Sequence, residues 1–296
     1  MFTTKGTFLT MTDDTVTEIG WGSTTLDTRR ALWSQPLEDE DRRLLWADAT
    51  AGRWDRAAHV RDGLRAFTEE SIRSVGFAHV PNLMDASADG EEIVRALSFV
   101  LRDFGEIIPQ NAQGDLWQVL RDRDGDGATE LGFHCDTCDV LVLLCLQPAV
   151  LGGGDTKLAS ARYVREIIER ERPDVLATLE EDWTFDRTGR AGQQVIVSPI
   201  LFTQEDGTVG CYYQTRTVRT SPERGGPPLT ERQWEALDVL DEVLYRPEIA
   251  FGLRLAAGDL LLIRNSRVLH GRSPYVDEPG PRARRVLRAW MNTGSR

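Results

Sequence analysis

Apolar residues in the first third of the chain recur at helical spacing. Between Pro36 and Gly105, Leu64, Phe67, Ile72 and Val75 share one helical face, as do Ile93, Leu97, Val100 and Leu101. This half is expected to be helical and to cover a core built elsewhere. After Gly105 the period changes to short apolar runs punctuated by Gly, Pro and Asp: Val140 to Leu146, Val195 to Leu201, Val209 to Tyr213, Leu260 to Ile263 and Val286 to Trp290. Runs of this length and composition predict strands. Two helical stretches interrupt them, one from near Ser160 with Val164, Ile167 and Ile168, the other opened by Thr230 and Gln233 in capping-box spacing and carrying Ala236, Leu237, Leu240 and Leu244. Late strands with inserted helices predict a mainly β protein with flanking helices, a sandwich or barrel core and not alternating βαβ units.

A chain of 296 residues that is 41% hydrophobic and 28% charged can bury one large core. The division expected is a loose tail over residues 1–20 and a single domain over 21–296. Thirty-five Lys and Arg against 47 Asp and Glu give a net charge of −12, a field that repels phosphate backbones and anionic lipid. Neither nucleic acid nor membrane is an expected partner, although Arg282, Arg284, Arg285 and Arg288 form a dense local basic cluster. Val140 to Leu151 contains Gln147 and Pro148 and falls short of the roughly 20 residues that span a bilayer. Met1 to Gly20 is Thr- and Asp-rich without a basic start leading into an apolar run, so a cytoplasmic protein is expected. Four cysteines in this length do not make a disulfide framework. Packing is expected of Cys135 and Cys145, and Cys138 is placed toward a cavity.

The most informative stretch is Leu131-Gly132-Phe133-His134-Cys135-Asp136-Thr137-Cys138-Asp139. If it is extended, His134 and Asp136 point one way and Cys135 the other. An imidazole and a carboxylate side by side can hold two positions on one metal, with a third ligand from elsewhere. His270, just beyond the apolar run Leu260 to Ile263, is the candidate; His59 and His79 are read as ordinary residues of the helical half. Two histidines and one carboxylate leave open positions on iron, but zinc accepts similar ligands. Asp122 to Gly127 imitates the opening of a calcium loop, yet Phe133 stands where a bidentate Glu is required, so a turn is expected. Gly152-Gly153-Gly154 lacks the Lys of a phosphate-binding loop.

His-x-Asp, a distant His in a Gly-Asp-(apolar)-Asn-x-Arg-x-x-His-Gly-Arg context, and a terminal Arg-rich strand resemble the TauD/TfdA family of Fe(II)- and 2-oxoglutarate-dependent dioxygenases, clavaminate synthase-like enzymes. The resemblance covers roughly Leu131 to Asn292. It implies a double-stranded β-helix (jelly-roll) core, with His134, Asp136 and His270 as iron ligands and Thr156, after a Gly-Gly pair, touching 2-oxoglutarate. Of Arg282, Arg284 and Arg285, all suitably placed after the second His, Arg284 with Arg288 reproduces the family's Arg-x-x-x-Arg spacing. Arg284 is therefore assigned to the far carboxylate of 2-oxoglutarate, and Arg288 to its reinforcement or to a substrate anion. The resemblance further implies use of O₂, release of succinate and CO₂, and hydroxylation of a small molecule, an amino acid or specialised metabolite. Gln118, Tyr213 and Arg216 are the candidate substrate contacts. Desaturation, cyclisation or C–C cleavage by the same chemistry, a non-catalytic metal-binding scaffold and a zinc hydrolase are the competing readings. Oligomeric state is left open.

Overall fold

The computed structural model describes residues 18–121, 129–187, 195–278 and 280–294. Its helices are α1 (Ser23–Thr28), α2 (Asp39–Thr50), α3 (Ala58–Val75), α4 (Gly90–Leu101), α5 (Ala161–Glu171), α6 (Pro173–Leu179), α7 (Thr215–Arg219) and α8 (Glu231–Leu244). The strands are β1 (Phe77–Val80), β2 (Glu106–Ile108), β3 (Trp117–Leu120), β4 (Leu131–His134), β5 (Val140–Gln147), β6 (Thr156–Ser160), β7 (Trp183–Asp186), β8 (Val195–Ser198), β9 (Leu201–Thr203), β10 (Val209–Cys211), β11 (Phe251–Leu253), β12 (Leu260–Arg264), β13 (Val268–Arg272) and β14 (Arg285–Asn292).

Among the described residues, ten strands form two antiparallel sheets. The larger runs β1-β12-β5-β14-β2, with β3 also on β14, and the smaller runs β11-β6-β13-β4. Alternation of side chains explains why several strands read as unbroken apolar runs. In β5, Val140, Val142 and Leu144 pack beneath α2, α3 and α4, whereas Leu141, Leu143 and Cys145 face Leu158, Phe251 and Val268 of the smaller sheet. A strand buried on both faces has no polar face to show. Phe133, Ala159 and Leu269, on the outer face of the smaller sheet, pack against α5, α6 and α8. The order is thus helices, sheet, sheet, helices.

The period of two also decides what faces the interior between the sheets. On β14, Leu287, Ala289 and Met291 go to the helical layer, while Val286 and Trp290 go inward with Arg288 between them. On β4 and β13, Phe133 and Leu269 face outward, which turns His134 and His270 inward. The capping box at Thr230 and the Ser160 cap are present, as their spacing predicts.

Three expectations need correction. The helical first half is interrupted by β1, which pairs with β12 and carries His79; this imidazole is buried, with Nε2 3.1 Å from Asp259 Oδ2 and Nδ1 3.0 Å from Ser34 Oγ. Val195 to Leu201 is two strands divided at Pro199, β8 pairing with β7 and β9 with β10. Within the expected tail, Glu18 is packed: its Oε1 lies 2.9 Å from Arg267 Nε, and Ile19 N–H donates to Ser74 O. Residues 1–17 and the turn expected at Asp122 to Gly127 lie outside the described residues. No helix among the described residues is long and apolar enough to cross a membrane.

Candidate active site

Antiparallel pairing of β4 with β13 sets His134 directly opposite His270. Directly opposed residues share a face, and the two rings stand 4.3 Å apart between centroids. Beyond His134 the chain leaves the strand, and three hydrogen bonds fix its course. Cys135 N–H donates to Tyr213 O at 2.7 Å, Gln214 Nε2 donates to Cys135 O at 2.8 Å, and Asp136 N–H donates to Asn265 Oδ1 at 3.1 Å. Asp136 is thereby returned to the face of His134, with Oδ1 3.9 Å from His134 Nε2 and Oδ2 4.0 Å from His270 Nε2. One ligand atom from each of the three residues lies within 4.8 Å of the others.

The protonation states suit a cation. His134 Nδ1 is 2.9 Å from Gly132 O, which can only accept, so Nδ1 is the donor there and Nε2 is the nitrogen turned toward Asp136. Burial, and then the neighbouring His134, pushes His270 down to about 3, so its imidazole is neutral. Burial opposes ionisation of Asp136 most strongly, but Arg288, the two imidazoles and the Trp290 N–H together hold its carboxyl below the usual range. Trp290 Nε1 donates to Asp136 Oδ2 at 3.0 Å, and Arg288 Nη1 is 3.5 Å from the same oxygen. Arg288 is itself fixed, Nε donating to Gln110 Oε1 at 2.7 Å and Nη2 to Gln118 Oε1 at 2.9 Å.

These groups open into a cavity of about 210 Å³ between the sheets, which Thr156 and Arg284 also line. Arg284 is 9% exposed, and among the described residues no carboxylate forms an ion pair with it. Burial lowers its pKa, and the Tyr275 ring, 5.3 Å from its Cζ, partly replaces the lost water. Its approach depends on Gly154, whose φ is +77° and where a Cβ would stand 3.1 Å from Arg284 Nε. A buried guanidinium with no salt-bridged carboxylate among the described residues shares this cavity with the three convergent donors, and its planar fork suits an oxyanion. A larger depression of about 320 Å³, against α3, is lined by Glu69, Arg73, Asp206, Arg264 and Arg267 and, among the described residues, by no histidine or cysteine.

The sequence matches the model for the taurine catabolism dioxygenase TauD, TfdA family over residues 52–290. The chain belongs to the TauD/TfdA family. FR-33289 synthase of Streptomyces rubellomurinus is 29% identical over 64% of this chain and 60% of its own length. A uridine-5'-phosphate dioxygenase of an Amycolatopsis species is 30% identical over 50% of this chain and 53% of its own. The chain thus spans little more than half the length of these curated relatives. An asparagine oxygenase solved with Fe(II), 2S,3S-3-hydroxyasparagine and succinate superposes with a TM-score of 0.66 at 19% identity, covering 88% of this chain and 94% of that one. The fold is shared with that protein.

Against this family background, the structure brings together His134, Asp136, His270, Thr156, Arg284 and Arg288, and joins Gln118 to them through Arg288. It does not bring Tyr213 or Arg216 to the cavity. Tyr213 is fully buried in the outer core, its hydroxyl donating to Asp241 Oδ1 at 2.7 Å, because its position opposite Cys135 faces that core. Arg216 is exposed on α7. Cys138 also misses the cavity lining: it packs against the core between the sheets, with Asn265 Nδ2 2.9 Å from its sulfur. The sequence reading did not single out Gln110, Gln214, Asn265 or Trp290. Asn265 alone carried a signal, as the Asn of the segment leading to His270; the others are polar atoms meeting across long sequence separations.

Proposed function

We propose that this chain is an Fe(II)- and 2-oxoglutarate-dependent oxygenase that hydroxylates a C–H bond of a small molecule, an amino acid or specialised metabolite. In this reading the two sheets form a double-stranded β-helix within one domain that takes in Glu18 and Ile19, and the enzyme works in the cytoplasm, where its four free thiols stay reduced. One observation carries the proposal: two imidazoles and one carboxylate converge in the cavity that also holds a buried arginine with no salt-bridged acid among the described residues. The donor set fits iron, since His134, Asp136 and His270 would occupy one face and leave the cavity side for other ligands. The activities for which the relatives are named, and the iron and succinate of the asparagine oxygenase, support the same reading.

With both bound, the iron and 2-oxoglutarate supply O₂-driven decarboxylation to succinate coupled to C–H oxidation. The chain's share is placement. Arg284 receives the far carboxylate through its planar fork, with Thr156 beside it on the inner face of β6. Trp290 and Arg288 hold Asp136 Oδ2, which presents Oδ1 on the side of His134. Leu141, Leu143 and Val286 wall the cavity with apolar surface and keep bulk water from the reacting bond.

The test is succinate release from protein supplied with Fe(II), 2-oxoglutarate and a panel of amino acids and metabolites, with products identified by mass. A product heavier by one oxygen is expected, and Asp136→Ala is expected to abolish it. Normal turnover by that variant contradicts the ligand assignment, and oxygen-independent turnover that survives iron removal supports a zinc hydrolase instead.

A further inference from the structure

We propose that Asn265 is a positioning residue for the metal centre: its side-chain amide couples the segment that carries Asp136 to the strand that carries His270, and so sets the spacing of those two ligands. This rests on the oxygenase reading above. The donors come from two stretches of chain, His134 and Asp136 in one and His270 in the other, and beside each the chain crosses between the sheets. Residues 135–139 lead from β4 of the smaller sheet to β5 of the larger, and residues 265–267 lead from β12 of the larger sheet to β13 of the smaller. Asp136 therefore belongs to no strand, and its backbone N–H needs a partner from outside the ladders.

Asn265 lies where the two crossings meet. Its backbone N–H donates to Asp139 O at 3.0 Å, its Oδ1 accepts from Asp136 N–H at 3.1 Å, and its Nδ2 donates to Cys138 Sγ at 2.9 Å. Because Asp136 N–H can only donate, the amide oxygen is the end turned toward it, which leaves the nitrogen for the sulfur. Asn265 is 2% exposed, so these bonds, if unmade, would leave buried polar groups bare. His270 follows five residues on, held in β13 by pairing with His134 and Leu158. A shift of the Asp136 segment against β13 thus changes the 4.0 Å between Asp136 Oδ2 and His270 Nε2. The far end of the segment has its own anchor, Asp139 Oδ2 accepting from the N–H and Oγ1 of Thr293 at 2.9 and 3.1 Å, just past β14. Asn265 acts on the part nearest the carboxylate.

The test is competitive Zn(II) titration of the full chain, with Co(II) absorption recorded in parallel. Asn265→Ala is expected to bind Zn(II) about threefold to tenfold more weakly, the worth of one neutral hydrogen bond, and to shift the Co(II) bands. Asn265→Asp keeps an oxygen facing Asp136 N–H and adds a charge that favours a cation, so it is expected to retain at least about a third of the wild-type affinity. Asp48→Ala is the control: it removes three hydrogen bonds at the start of α3, in the helical layer, and is expected to lose stability with Zn(II) affinity and Co(II) bands unchanged. A residue that served folding alone would behave as Asp48 does. Should Asn265→Ala not fold, Asn265→Ser, too short to span the same contacts, carries the same expectation. Wild-type affinity and bands in Asn265→Ala or Asn265→Ser overturn the inference, as does Asn265→Asp binding as weakly as Asn265→Ala, while the oxygenase reading stands. A folded wild-type protein that binds neither metal overturns both.

Discussion

Replacing Trp290 by Phe removes one hydrogen-bond donor and keeps the aromatic packing. The indole N–H lies 3.0 Å from Asp136 Oδ2, both residues are buried, and the acceptor is ionised. A hydrogen bond to a buried charged group is worth roughly 1.5–3 kcal/mol. Arg288, 3.5 Å from the same oxygen, retains part of the restraint, which points to the lower end. At about 1.4 kcal/mol per factor of ten, metal affinity should fall about tenfold, within the 10–100-fold range for groups that orient a metal ligand. The assay is competitive Zn(II) titration of the apo protein, with Co(II) absorption as a second readout. Freed at Oδ2, the carboxylate can swing to chelate through both oxygens, so the Co(II) bands of Trp290→Phe should weaken as coordination number rises. Unchanged affinity together with an unchanged Co(II) spectrum would refute the role given to Trp290.

Arg284→Gln should raise the 2-oxoglutarate concentration needed for half-maximal succinate release at least about tenfold, with little change for the substrate; Arg285→Gln, exposed at the start of β14, should leave both unchanged, and the opposite pattern would misplace the cosubstrate. In metal-free protein, His270 sits at about 3 against an ordinary 6.5, so the unfolded chain binds the extra proton between those values and stability falls with pH below 6.5. Roughly 2 kcal/mol should be lost between pH 6.5 and about 5. Urea midpoints in chelator should show this loss in wild type but not in His270→Gln; parallel curves would contradict it. The lowered carboxyl of Asp136 adds stability that disappears further down, as pH falls through its folded value. Asp48 Oδ2 accepts from the N–H groups of Asp55, Arg56 and Ala57, each at 2.8 Å, at the start of α3. Asp48→Ala should therefore cost about 2 kcal/mol in urea unfolding, and a loss below about 0.5 kcal/mol would show that water replaces it readily.

The residues that the sequence resolved best were those whose chemistry is tied to a local period. His134 and Asp136, two apart, return to one side, and Arg284, Val286 and Arg288 enter one cavity as alternation requires. The helices at Ser160 and Thr230 begin where side-chain caps satisfy their first N–H groups. What stayed hidden was set by tertiary burial. Phe77–Val80 is buried at every position, so it has no alternation to separate it from the helices on either side. Tyr213 lies two residues beyond β10, close in sequence to the site, yet its pairing with Cys135 turns its ring into the outer core. Gln110, through both atoms of its amide, and Trp290, through its indole N–H, meet partners 178 and 154 residues away, a separation that no local pattern encodes.

The most direct measurement is the visible spectrum of the Fe(II)-loaded protein as 2-oxoglutarate is added without oxygen. A weak charge-transfer band that saturates at one equivalent, is lost in Asp136→Ala and needs far more 2-oxoglutarate in Arg284→Gln is the predicted result. A folded wild-type protein that binds Fe(II) yet develops no band would contradict the convergence of His134, Asp136, His270 and Arg284 on one iron and its cosubstrate.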